Sequence, residues 1–154
     1  MPGTRWTTFD AVLAPLEWGR NVYTVVVVPE GLVGEAREEG TRRLEGWVDD
    51  VRVNVGIART DVMPDAFFYA GKPLRRSLGL RPGDGVRCRL RPVDPDLVPV
   101  PDDVAAALAA APTAEAAFAA RSAPQRRQLL VPVENAATAA TRARRIHALV
   151  LDLS

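Results

Sequence analysis

One cysteine, one histidine and one lysine are all that 154 residues hold of those three side chains, and each scarcity closes off a class of function. A lone Cys88 cannot form an internal disulfide. Together with a lone His147 it cannot assemble the several Cys and His ligands of a zinc site either. This usage fits a reducing compartment, so a cytoplasmic location is expected. Long apolar runs are also missing. The longest, Val104 to Ala111, is mostly Ala and far short of the roughly 18 to 20 residues that cross a bilayer. The first residues carry no basic stretch followed by an apolar one. Neither export nor membrane insertion is expected.

Net charge is scarce too. Twenty basic residues stand against 19 acidic ones, for +1 overall, so no global field draws the molecule toward nucleic acid or an anionic membrane. Lys72 is the only basic residue that is not Arg. With Ala so abundant, the Arg excess reads as compositional bias of the genome, and single Arg residues carry less functional weight than usual. Apolar residues at 47% and charged residues at 25% are the balance of a folded chain, and the length suits one domain with an appendage.

The first part of the chain reads as short strands between turns. From Trp6 to Leu13, Phe9, Ala11 and Leu13 recur with the period of two that buries one strand face. Pro15 and Gly19 bracket a turn, and Val22 to Val28 is nearly all apolar and β-branched. Leu32 to Gly40 is charged and suits a short helix or loop. Arg42 to Val48 and Val51 to Ala58 flank Asp49-Asp50 as the arms of a hairpin, with Val51, Val53, Val55 and Ile57 on one face. A turn at Met63-Pro64-Asp65 leads into Phe67, Phe68 and Tyr69. A short helix is then predicted over Leu74 to Leu80, and the turn Arg81-Pro82-Gly83-Asp84-Gly85 precedes a last strand with Val86, Cys88 and Leu90 inward.

About six strands at this spacing predict an α+β protein: a small closed or partly open β-barrel over residues 1–91, a Pro-rich linker over 92–101, and a helical C-terminal module over 102–154 packed on the barrel. In the module the period shifts to 3.6. Asp102, Thr113 and Ser122 are candidate helix caps, and Pro112 and Pro132 are expected to end helices. Ala136, Ala139, Ala143, Ile146 and Val150 make an apolar stripe. With Phe118, Ile146 and Val150 are expected to dock the module on the barrel.

The tail Thr141-Arg142-Ala143-Arg144-Arg145-Ile146, with Val100-Pro101-Asp102-Asp103-Val104, Phe118 and Ser122 to Arg127 before it, resembles the C-terminal module of the bacterial YdeI/OmpD-associated family. Pro82-Gly83-Asp84 leading into Val86 to Leu90 is similar to the small barrel that precedes that module in many members. The tail departs from the family pattern at Ala137 and Ala140, where Lys and Glu are usual. The resemblance implies a barrel with a helical extension and no particular activity.

No catalytic constellation is legible, and neither a cofactor nor a metal is expected. His147 lacks a visible partner for acid–base work. Cys88 sits on an inward strand face, where a thiol is inert. The pairs Glu38-Glu39, Asp49-Asp50 and Asp102-Asp103 are explained by a helix face, a turn and a cap. Two surfaces remain. The aromatic set Trp18, Tyr23, Trp47, Phe68 and Tyr69 is the candidate lining of a ligand site, with Phe68 expected to find cover under the C-terminal helices. Arg142, Arg144 and Arg145, within an Arg-rich stretch, are the candidate anion-binding group. The expected function is a non-enzymatic module for a small molecule or peptide. Weak phosphate or nucleic-acid contact through the Arg tail and an enzyme with a concealed site are the alternatives. No membrane partner is expected, strong nucleic-acid binding is disfavoured, and self-association stays open.

Overall fold

The computed structural model describes residues 5–154, so the first four residues of the 1–91 half lie outside the described residues. The chain divides into two compact units, one ending at Pro95 and the other spanning Asp96–Ser154. The fold class is α+β: among the described residues there are eight strands in two antiparallel sheets, and six helices.

The first unit runs β1 (Thr7–Val12), β2 (Ala14–Trp18), β3 (Asn21–Val27), α1 (Glu30–Glu38), β4 (Arg43–Val48), β5 (Val51–Gly56), β6 (Ala58–Thr60), β7 (Met63–Tyr69), α2 (Lys72–Leu78) and β8 (Gly85–Val93). One sheet has the order β1-β8-β4-β5 and the other β2-β3-β7-β6. Of the expected closed or partly open barrel of about six strands, closure is not found: among the described residues no ladder joins the two sheets. The chain changes sheets at residues whose backbone bonds lie elsewhere. Leu13 exchanges bonds with the turn before β8, at 2.9 Å to Asp84 and 2.6 Å from Gly83, and the Ile57 amide donates to Arg42 at 2.7 Å. At these corners the chain passes from one sheet to the other, from β1 to β2 and from β5 to β6.

Alternation explains most of the strands. In β8, Val86, Cys88 and Leu90 are buried while Arg87 and Arg89 are exposed. The β4–β5 hairpin turns at Asp49-Asp50 as expected, with Asp49 at φ 50° and its carboxylate accepting from the Arg87 amide at 2.8 Å. Pro15 does not make a turn. It lies in β2, an edge strand, where a residue without an N–H is tolerated. Met63, Pro64 and Asp65 already belong to β7, and the turn falls at residues 61–62. Pro92 likewise belongs to β8, opposite Leu44; the ladder to β1 ends at Leu90, so beyond it a missing N–H can face away from any neighbour. Gly46 is obligatory in β4: at φ 145°, an added Cβ would overlap the Arg89 carbonyl oxygen and press on the Trp6 ring.

The unit's main core lies between the sheets and α1. It joins Val26 and Phe68 to Leu44, Val48, Val86, Cys88 and Leu90, with Leu32, Val33 and Ala36 from the helix. Phe68 is therefore enclosed by its own unit, which corrects the expectation that the C-terminal helices cover it. Its neighbour Phe67 points to the opposite face of β7, into a smaller cluster with Leu16 and Val25.

The second unit holds α3 (Asp102–Ala109), α4 (Pro112–Ala119), α5 (Ala123–Glu134) and α6 (Ala139–Leu153). Ser122 and Gln125 form a capping box at α5, and Thr138 caps α6 by accepting from the Thr141 amide at 3.2 Å. Asp102 and Thr113 are not caps; each lies inside its helix, after Pro101 and Pro112 respectively. Pro132 does not separate two helices. It sits in the last turn of α5, where Val133, buried in the unit's core, holds the chain helical past it. That core gathers Val98, Val104, Leu108, Phe118, Leu130, Leu149 and Leu153, with Val100, Ile146 and Val150 packed against it. Val98 and Val100, expected in a linker, thus serve as core, and the side chains expected to dock the module pack within it.

Candidate functional site

Where α1 ends and β4 begins, the chain must reverse quickly. Gly40, at φ 73°, allows the turn, and the buried Thr41 fastens it: its hydroxyl donates to the Val93 carbonyl at 2.8 Å and accepts from the Arg43 amide at 3.0 Å. The residues around this staple line a groove of about 830 Å³ in the first unit. Val33, Ile57 and Pro95 give it an apolar floor. Arg37 from α1, Arg42 from the turn, Arg43 from β4 and Arg59 from β6 bring four guanidinium groups to its walls.

The four are not equivalent. Arg43 is held by Asn54, donating from Nε at 3.2 Å and from Nη2 at 2.5 Å to the amide oxygen. Arg59 reaches Glu30 at 3.2 Å across an exposed pair. Arg37 and Arg42 are exposed, and among the described residues their side chains make no hydrogen bond or ion pair. On the far side of Thr41 and Pro95 a smaller cleft carries Glu39, Glu45 and Asp94. Such a groove, concave, with an apolar floor and a few polar groups converging on it, is the usual form of a small-molecule site. Sequence reasoning missed it because Arg37, the adjacent Arg42-Arg43 and Arg59 lie on separate stretches of chain that only the fold brings together.

The aromatic set expected to line one site is dispersed. Phe68 is interior. Tyr23 and Tyr69 meet edge to face at 5.6 Å on the opposite face of the second sheet, beside Phe67, and Trp18 is exposed at the end of β2. Trp47 lies on the outer face of the first sheet, where it joins a group that the sequence did not announce. Arg52, Trp47, Arg89, Trp6 and Arg91 alternate as a stack, with guanidinium carbons 4.2 to 5.6 Å from the ring centroids. Glu45 braces it, accepting from Arg91 at 3.0 Å and Arg52 at 3.2 Å. With cations already over the indole faces, this stack fixes the entry to β1 more than it offers rings to a ligand.

The arginines of the helical unit are mostly engaged at home. Arg142 forms a two-point bond with Asp103, at 2.6 Å and 3.0 Å, and also reaches the Val133 carbonyl at 3.4 Å. This pairing holds the Asp103 carboxyl below its ordinary value and raises Arg142. Arg145 donates to the Pro132 carbonyl at 2.7 Å, and Arg144 to the Thr141 hydroxyl at 3.1 Å. Arg142 and Arg145 thereby satisfy carbonyls at the C-terminal end of α5, which its own helix cannot.

His147 is exposed on α6, and Cys88 is buried, its thiol pushed up to about 12 by desolvation and then by Asp49 and Asp10. Among the described residues no group of three or more His, Cys, Asp or Glu could hold a metal, and no helix is long and apolar enough to cross a membrane.

The comparisons bear on the helical unit. The family model described as "Bacteriocin-protection, YdeI or OmpD-Associated" matches residues 98–154. Searches of curated proteins and of solved structures returned no match.

Proposed function

We propose, for a chain whose residues 98–154 belong to the YdeI/OmpD-associated family, that the protein is a non-enzymatic binding module holding a small molecule or a peptide. The observation that carries this reading is the groove of about 830 Å³ beside Thr41, with its apolar floor and converging guanidinium groups. A protective role of the kind the family description names is one a module could perform by binding alone. The single buried Cys88 supports a cytoplasmic setting. The Arg-rich α6 is the weaker candidate surface, because Arg142 and Arg145 are bonded to the helical unit's own carboxylate and carbonyls. The test is amide chemical-shift mapping of the full chain against a diverse set of small molecules and short peptides. Binders should move Val33, Thr41 and Ile57 together. Binders that perturb only the helical unit, or none at all, would remove the groove as the functional surface.

A further inference from the structure

Resting on that reading, we infer that the groove selects a small organic anion: a compact apolar body bearing one acidic headgroup, held by Arg37 and Arg42. Four arginines line the groove, and Arg59 among them is paired to the carboxylate of Glu30. Arg43 is oriented by Asn54, and Arg59 is partly neutralised. Arg37 and Arg42 have no partner among the described residues, so their donors are the ones free to meet an acceptor. A guanidinium fork matches a carboxylate, sulfonate or phosphate with two parallel bonds.

The rest of the lining sets the ligand's other end. Val33, Ile57 and Pro95 provide nothing a polar tail could bond and would bury a ring or short alkyl body. The neighbouring cleft carries Glu39, Glu45 and Asp94, and even with Glu45 paired to Arg52 and Arg91 it offers a second anionic group no added cation. A headgroup toward Arg37 and Arg42 with the body over Val33 and Ile57 satisfies both walls.

The probe is 8-anilinonaphthalene-1-sulfonate, an apolar ring system bearing one sulfonate, titrated by fluorescence into the full chain. N-phenyl-1-naphthylamine, the same rings without the charge, is the control. The expected result is that the sulfonate binds at least about tenfold more tightly than the neutral probe, with the difference shrinking as salt is raised. R37Q/R42Q should remove this preference while leaving the neutral probe's affinity and the melting temperature unchanged; both residues are exposed and unpaired among the described residues. R59Q, already offset by Glu30, should lower it less. If both probes bind equally, or the double variant keeps the preference, anion selectivity is wrong while the groove as a binding site stands. If neither probe binds and no small molecule moves the Thr41 amide, the inference falls together with the reading it rests on.

Discussion

The two units dispose of their arginines in opposite ways. In the helical unit the arginines that crowd the sequence around Arg142, Arg144 and Arg145 bond to Asp103, Thr141 and the last carbonyls of α5 at the surface. In the β unit Arg37, Arg42, Arg43 and Arg59 are spread over 23 positions of chain, yet they meet at one groove. Density of charge along a chain is therefore a poor guide to charge available to a ligand. What decides is whether local acceptors exist: the end of α5 leaves carbonyls that Arg142 and Arg145 take, whereas in the β unit Arg43 and Arg59 find Asn54, Pro64 and Glu30, and Arg37 and Arg42 have no side-chain partner among the described residues.

The contrast implies separable cores, and the largest effects should come from breaking one at a time. Phe68→Ala empties a fully buried site in the β unit and should cost about 3 to 5 kcal/mol; Leu130→Ala in the helical unit should cost about 2 to 5 kcal/mol. Trp6, Trp18 and Trp47 all lie in the β unit, so indole fluorescence reports one core, while ellipticity at 222 nm weighs the helices. Phe68→Ala should shift the fluorescence midpoint further than the helical one. Equal shifts by both probes in both variants would mean a single cooperative core.

Cys88 sharpens the same point from inside the sheet. Desolvation, with Asp49 and Asp10 adding to it, raises the thiol to about 12, so near neutral pH it holds roughly a thousandfold less thiolate than an ordinary cysteine of value 9.0. Alkylation of the native chain should be correspondingly slow and should accelerate in Phe68→Ala while Leu130→Ala changes it little. Labelling of the unmutated protein at the rate of a free thiol would contradict the inward register of β8.

The smallest effect belongs to Asp103. Its carboxyl is lowered from 3.8 by the Arg142 bond, so the stability it adds is present above that value and is lost as pH falls through the lower folded one. The pair is partly exposed, and Asp103→Asn should cost under about 1 kcal/mol at neutral pH. In acid titrations followed at 222 nm the variant should lose part of the decline below pH 3.8. An unchanged acid limb would assign that decline to other carboxylates.

What could be read from the sequence was whatever is local. The Val86, Cys88, Leu90 alternation, the Asp49-Asp50 hairpin and the start of α5 each depend on neighbours within a few residues. The division into two sheets could not be read, because it rests on pairings such as Val26 with Phe68 and Ala11 with Val86, which no period encodes. Prolines misled for a related reason. Pro15, Pro92 and Pro132 look like breakers until their partners are known; two sit where the ladder has a free side, and the third is held by the burial of Val133. The groove needed α1, β4 and β6 to be placed together first, and the Trp6–Trp47 stack needed β1 to pair near β4 through β8.

That last pairing sets an order of events during synthesis. Thr7 lies opposite Leu90, so β1 has no strand to join until some eighty further residues have left the ribosome. Closing so long a loop is slow, and until it closes the strand carries Phe9 and Ala11 without their covering layer. The helical unit waits in turn for α6, since Arg142 pairs with Asp103 and Leu149 and Leu153 share a core with Val98 and Val104. The interval in which β1 waits is when the chain depends most on whatever in the cell shields unpaired edges.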